Sequence, residues 1–326
     1  MPSEIHPDIR RGHVYRDVYA KRAGDTVATE SELPVAVLER ARIEDGELVF
    51  DTAGRPSAGE RALADGVFLL EIPDSLDTTA GDIFSRQFHL GPSTVPYGRF
   101  HELRADHFDD PLLGFHQRVN QIEQFLLERR FWQRDFPPEI LALGEALTRL
   151  SRQVLRSVLT HVGIPSGDWV KATGGCSRGA GSYHLTFNHY RPDHTSIGLS
   201  SHKDDGFVTL LRTTVPGLEV NRRDRWEAVR PDPACLVVNF GLAMQILTAR
   251  AARPVAAIMH RVARQDQDRS SFGHFSSSRC EPGADDGIYR HLPGTGLERV
   301  CGSRELIEVN DHEIYEGTDM PEAGTP

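Results

Sequence analysis

The chain has 326 residues, 39% of them hydrophobic and 26% charged, with a formal net charge of −10. That length can bury a sizeable core in one large domain or two small ones, and the composition is that of an ordinary globular protein. The acidity argues against a nucleic-acid partner, since phosphate binding wants a basic face. No apolar run approaches the roughly 18 residues of a bilayer span.

The opening MPSEIHPDIRRGHVYRD lacks the apolar core of a secretory signal. Cys176, Cys235, Cys280 and Cys301 are scattered without CxxC spacing. Reduced, buried thiols in a cytoplasmic protein are therefore expected. Lysine is confined to Lys21, Lys171 and Lys203 while arginine is abundant, a bias that fits a high-GC bacterial genome.

Residues 1–31 are polar and aperiodic and read as an N-terminal extension. The remainder, 32–326, reads as one domain: helical support to about residue 173, a β core to about 280, and a C-terminal segment beyond. ALADGVFLLEI (Ala62 to Ile72) predicts a helix end, a turn at Gly66 and an apolar strand. Pro92 to Pro96 reads as loop, and Tyr97, Arg99 and Phe100 after it are substrate-contact candidates, because such loops frame binding sites. Leu112 to Leu127 is ambiguous between helix and strand. Pro137 and Pro138 suit a first helical turn. Leu143, Leu147, Leu150, Val154 and Val158 then recur at helical spacing until Gly163 and Pro165. After Gly174 come short β-rich runs: SYHLTFNHY, GFVTLLRTT, GLEV, WEAV, ACLVVNF, MQILT, IMHRVAR and SSFGHF. Such a succession predicts a sandwich or barrel.

In SSHKDDGFVTLL, His202 and Asp204 are two residues apart at a strand start. Alternation puts both on one face, with Lys203 and Asp205 turned away. Asp205 is the alternative carboxylate. His260, in IMHRVAR, can supply a third ligand from another strand. Two histidines and one carboxylate make a facial triad suited to iron(II), with three positions open. The bland alternative makes His202 a turn residue, Asp204 a solvated cap and His260 a core histidine. Arg269 and Ser271 share a face of the next strand. A planar guanidinium and a hydroxyl there suit the far carboxylate of a chelating 2-oxo acid.

HKD, VPGLEV, WEAVRPDPACLVVNFGLAMQILT, HRV and RSS together resemble the isopenicillin N synthase-like branch of the iron(II)/2-oxoglutarate dioxygenases. The ordered match runs from Tyr183 to Phe275, with weaker similarity back toward Ala62. The resemblance implies a double-stranded β-helix, a jelly-roll barrel with a helical N-terminal half packed on it. It also implies iron(II), 2-oxoglutarate and dioxygen as cofactor and co-substrates. In FNHYRP, Asn188 and Tyr190 match the family's Asn-x-Tyr stretch, which implies a place beside 2-oxoglutarate, with Tyr190 donating to its distal carboxylate. Gly241-Leu242 departs from the family's Gly-Asp. The activity implied is oxidation of an unactivated C–H bond in a small amino-acid-derived metabolite, with bacterial specialised metabolism such as antibiotic biosynthesis as the setting. An oxidase of the isopenicillin N synthase type, without a 2-oxo acid, and a non-catalytic binding protein on the same scaffold are the rivals. The oligomeric state is not legible.

Overall fold

The protein is described by a computed structural model over residues 33–51 and 57–315. The predicted extension, 1–31, lies outside the described residues.

Seventeen strands appear among the described residues. Those before residue 174 are β1 (Arg40–Glu44), β2 (Glu47–Phe50), β3 (Val67–Glu71), β4 (Gly114–Gln117) and β5 (Ile122–Glu128). The barrel strands are β6 (Ser182–Tyr190), β7 (Leu199–His202), β8 (Val208–Thr213), β9 (Leu218–Arg222), β10 (Arg225–Ala228), β11 (Cys235–Phe240), β12 (Met259–Val262) and β13 (Arg269–Ser277). Two short hairpins follow, β14 (Cys280–Glu281) with β15 (Ala284–Asp285), and β16 (Ile288–Leu292) with β17 (Gly296–Cys301). The helices are α1 (Ala58–Asp65), α2 (Thr79–Gln87), α3 (Ala105–Phe108), α4 (Arg129–Asp135), α5 (Pro138–His161), α6 (Trp169–Ala172), α7 (Leu242–Thr248) and α8 (Ser303–Tyr315).

Nine strands form one sheet in the order β2-β1-β3-β11-β8-β13-β6-β5-β4, and four form a second in the order β10-β9-β12-β7. Side chains of both sheets line one cavity, so the sheets face each other as the two walls of a jelly-roll barrel. The expected barrel is therefore present. Its N-terminal partner is less purely helical than its pattern suggests, because β1 to β5 extend the larger sheet on both sides. The ambiguous stretch from Leu112 to Leu127 supplies β4 and β5 of that sheet.

The long helix forms as its periodicity predicts, with proline at its start. Ile140, Leu143, Leu147, Leu150 and Val154 are buried in the main core. MQILT, expected to be β, lies in helix α7 instead. The run is too short for periodicity to decide, and all of Leu242–Thr248 except Gln245 is buried, which either state would satisfy. All four cysteines are free and buried. No helix among the described residues is long and apolar enough to cross a membrane.

Candidate metal centre

His202 is the last residue of β7, and His260 sits directly opposite it on antiparallel β12. Their rings lie 4.2 Å apart between centroids. Asp204 Oδ1 is 3.8 Å from His202 Nε2 and 3.6 Å from His260 Nε2. These three side chains are the one group of His, Cys, Asp or Glu able to converge on a metal ion among the described residues. All three are buried.

The remaining polar atoms of the triad are engaged elsewhere. His202 Nδ1 lies 2.7 Å from the carbonyl of Ser200, and His260 Nδ1 lies 3.4 Å from that of Ile258. A carbonyl accepts only, so each Nδ1 carries the proton and each Nε2 keeps its lone pair for a metal. Thr209 Oγ1 donates to Asp204 Oδ2 at 2.7 Å, which leaves Oδ1 turned to the two imidazoles. Two nitrogens and one carboxylate oxygen, with no fourth protein ligand among the described residues, fit iron(II) with open positions rather than a closed structural zinc site.

Asp204 does not face the site by strand alternation, because β7 ends at His202. Its backbone is held by helix α7: the Leu242 amide donates to the Asp204 carbonyl at 2.7 Å and the Ala243 amide to that of Asp205 at 3.0 Å. Asp205 is outside the triad but also lines the cavity, near Ser277 at 3.4 Å. Burial, then the neighbouring Asp204 charge, pushes its carboxyl up to about 6.

The cavity has a volume of about 140 Å³ and holds the triad together with Asn188, Tyr190, Arg269 and Ser271. Strand pairing explains the grouping. Arg269 lies opposite Tyr190, and Ser271 opposite Asn188, across antiparallel β13 and β6. The Arg269 guanidinium lies 4.6 Å from the Tyr190 ring centroid, a cation–π stack. Its Nε donates to the carbonyl of Pro216 at 2.9 Å and its Nη2 to Thr213 Oγ1 at 3.1 Å. Nη1 is buried with no partner, and Arg269 makes no ion pair with a carboxylate among the described residues. A guanidinium only 2% exposed and held by neutral groups calls for an anion beside it.

Tyr97, Arg99 and Phe100 are not brought to the cavity. Tyr97 and Phe100 pack on Phe84 in the core, 4.9 and 4.6 Å away between ring centroids. The Tyr97 hydroxyl donates to Glu139 at 2.8 Å, and Arg99 caps the Asp135 carbonyl at 3.2 Å. An aromatic-rich loop reads like a rim in sequence, but here its rings fill the space under α2.

Several lining residues carried no sequence signal. Ile307, Asn310, Asp311 and Ile314 of helix α8 cover one side, with Asn310 Nδ2 donating to the Lys203 carbonyl at 2.9 Å. Asn239, 1% exposed, presents an amide with neither atom partnered among the described residues. His184 also lines the cavity, and burial pushes its imidazole down to about 4.

Residues 182–278, the span from β6 to the end of the barrel, match the model of the 2OG-Fe(II) oxygenase superfamily. The matched span is the barrel itself and carries the triad, Arg269 and Ser271. Jasmonate-induced oxygenase 2 of Arabidopsis thaliana is 34% identical over 157 residues, 45% of this chain and 40% of that protein. The match thus spans well under half of that curated relative. Gibberellin 3-beta-dioxygenase 2-2 of Triticum aestivum is 40% identical over 97 residues, 28% of this chain and 25% of its own length. In fold, a 2OG-Fe(II) oxygenase family protein from Caulobacter crescentus aligns with a TM-score of 0.59 at 19% identity, covering 86% of this chain and 99% of that one. Within the matched span the triad and the arginine pocket open on one cavity.

Proposed function

We propose that the protein is an iron(II)- and 2-oxoglutarate-dependent oxygenase acting on an unactivated C–H bond of a small molecule. His202, Asp204 and His260 hold the metal. When iron, 2-oxoglutarate and dioxygen are bound, oxidative decarboxylation to succinate and carbon dioxide supplies the oxidising power. Arg269 binds the distal carboxylate of the 2-oxo acid, with Ser271 and Tyr190 as further donors and Asn188 beside them. The observation that carries this reading is the unpartnered Nη1 of Arg269 in the same cavity as the triad.

The substrate side is walled by Leu112, Leu126, Ile307 and Ile314, with Arg118 and Asp311 paired at 3.5 Å. Apolar walls with one charge of each sign suit a small amino-acid-derived molecule. The curated relatives matched are plant proteins named for jasmonate and gibberellin. The setting in bacterial specialised metabolism therefore rests on arginine-rich composition. Screening amino acids for substrate-stimulated succinate formation tests this part.

The co-substrate is tested by titrating 2-oxoglutarate into iron-loaded, oxygen-free protein and following the visible charge-transfer band of the chelate. Arg269→Ala is expected to weaken 2-oxoglutarate by at least about two orders of magnitude, since an uncompensated buried charge costs roughly 3–5 kcal/mol. Arg269→Lys recovers part, as an ammonium lacks the planar fork. Iron affinity stays unchanged. Absence of the band in the wild type, or normal 2-oxo acid binding by Arg269→Ala with loss of the organic substrate, replaces this reading with the oxidase that uses no 2-oxo acid.

A further inference from the structure

We propose that Gln124 is a positioning residue for 2-oxoglutarate, setting the direction of a hydrogen-bond row that ends at the distal carboxylate. The proposal rests on the co-substrate reading above.

Gln124, Asn188, Ser271 and Thr213 stand directly opposite one another across β5, β6, β13 and β8. Three links join the row to the cavity mouth. Arg118 Nε donates to Gln124 Oε1 at 3.2 Å, Gln124 Nε2 donates to Asn188 Oδ1 at 3.2 Å, and Asn188 Nδ2 reaches Ser271 Oγ at 3.5 Å. Gln124, Asn188 and Ser271 are all buried, and the two links between them are buried bonds, shielded from water.

The direction follows from chemistry. A guanidinium has donors and no acceptor, so Gln124 must turn its oxygen to Arg118 and its NH₂ to Asn188. Asn188 must then accept with Oδ1 and present its own NH₂ to Ser271. Ser271 accepts that bond, and its hydroxyl proton is left to point into the cavity. Each group thus turns its positive end toward Ser271 and Arg269, where the anion sits. The first member is itself fixed: Arg191 donates to the carbonyls of Arg118 at 2.8 Å, Asn120 at 2.6 Å and Gln121 at 3.1 Å, pinning the β4–β5 turn.

Replacing Gln124 separates direction from packing. In Gln124→Glu the new carboxylate still accepts from Arg118 but has no NH₂ for Asn188. The Asn188 amide then turns over to donate to that carboxylate and puts its oxygen toward Ser271, against the co-substrate carboxylate. Gln124→Leu removes the link without imposing the reverse direction.

The experiment is the oxygen-free titration of iron-loaded protein with 2-oxoglutarate and, separately, with 2-oxopentanoate, which has the same chain length and no distal carboxylate. The expected order of 2-oxoglutarate affinity is wild type, then Gln124→Leu, then Gln124→Glu. The last should be weaker than wild type by on the order of ten-fold or more, the scale of one hydrogen bond to a charged group. Affinity for 2-oxopentanoate and for iron stays within about two-fold across the three, because the row acts only on the distal carboxylate. Equal 2-oxoglutarate affinity in all three proteins overturns the proposal. So does a parallel loss of both 2-oxo acids, which marks Gln124 as merely structural. If the wild type itself gives no chelate band, the co-substrate reading fails and this proposal falls with it, a result distinct from either of those.

Discussion

Gly241 sits hard against the loop that carries Asp204: a Cβ at this position would run into the carbonyl oxygen of Gly206 and fall 2.7 Å from that of Asp204. Both contacts are backbone, so no side chain can swing aside. The residue is glycine because of this close approach and not because of its backbone angle, φ −104°. It lets α7 begin close enough for Leu242 and Ala243 to hold the carbonyls of Asp204 and Asp205.

Gly241→Ala is therefore expected to displace the Asp204 loop. Overpacking of this kind costs about 1–3 kcal/mol in stability, and misplacing one ligand should weaken iron(II) by on the order of ten-fold or more, as loss of a supporting contact does. Calorimetric titration of iron together with a melting curve checks both. Iron affinity within about two-fold of wild type would show that the loop relaxes without moving the carboxylate.

Tyr190 has two ways to act, and two substitutions separate them. Its ring stacks on Arg269 at 4.6 Å, and under the proposed function its hydroxyl donates to the co-substrate. Tyr190→Phe keeps the ring and loses a hydrogen bond to a charged group, an expected weakening of 2-oxoglutarate by about ten-fold. Tyr190→Leu also loses the aromatic face and should weaken it further, by a few-fold, since a cation–π contact contributes about 0.5–2 kcal/mol. Equal affinity in wild type and Tyr190→Phe means that the hydroxyl takes no part and the ring alone orients Arg269.

The arginine pocket was legible in the sequence because its pairs depend on short, regular spacing, and the triad histidines because they sit in strand-like runs. His260 reads as a strand residue from its apolar neighbours. The two-residue steps Asn188 to Tyr190 and Arg269 to Ser271 place each pair on one strand face, and the β6–β13 register brings the pairs together. The step from His202 to Asp204 pointed to the carboxylate that lies beside the two histidines, but for an incomplete reason, since the helix start at α7 holds the backbone that carries it. Gln124 and Arg118 were beyond reach, because nothing local tells which strand β5 pairs with or in what register. Helix α8 was missed for a related reason: Ile307, Asn310, Asp311 and Ile314 meet the barrel only through tertiary packing.

His274 gives a prediction about stability that is independent of the metal. It faces the core, 0% exposed, 5.7 Å from the Tyr183 ring and 6.2 Å from that of Trp132 between centroids. Thr148 Oγ1 donates its one proton to the carbonyl of Gly144 at 2.8 Å, so at 2.9 Å it accepts from His274 Nε2. Nδ1 is then bare, and it has no partner among the described residues. Burial pushes the imidazole down to about 3, whereas in the unfolded chain it titrates near 6.5. The folded state therefore holds a neutral ring that the unfolded state protonates first. Its contribution to stability is fully present above about pH 6.5 and is lost as pH falls from there toward about 3. Between about pH 7.5 and 5.5 this amounts to about 1.4 kcal/mol. His89, His116 and His184, each pushed down to about 4 chiefly by burial, act in the same direction. His274→Gln keeps a donor for Thr148 and cannot titrate, so it isolates one proton from that sum. Urea unfolding at the two pH values should show wild type losing about 1.4 kcal/mol more than His274→Gln on acidification. An identical loss in both proteins would mean that His274 titrates in the fold as it does in the unfolded chain, and a smaller loss in wild type would mean that the fold holds it protonated.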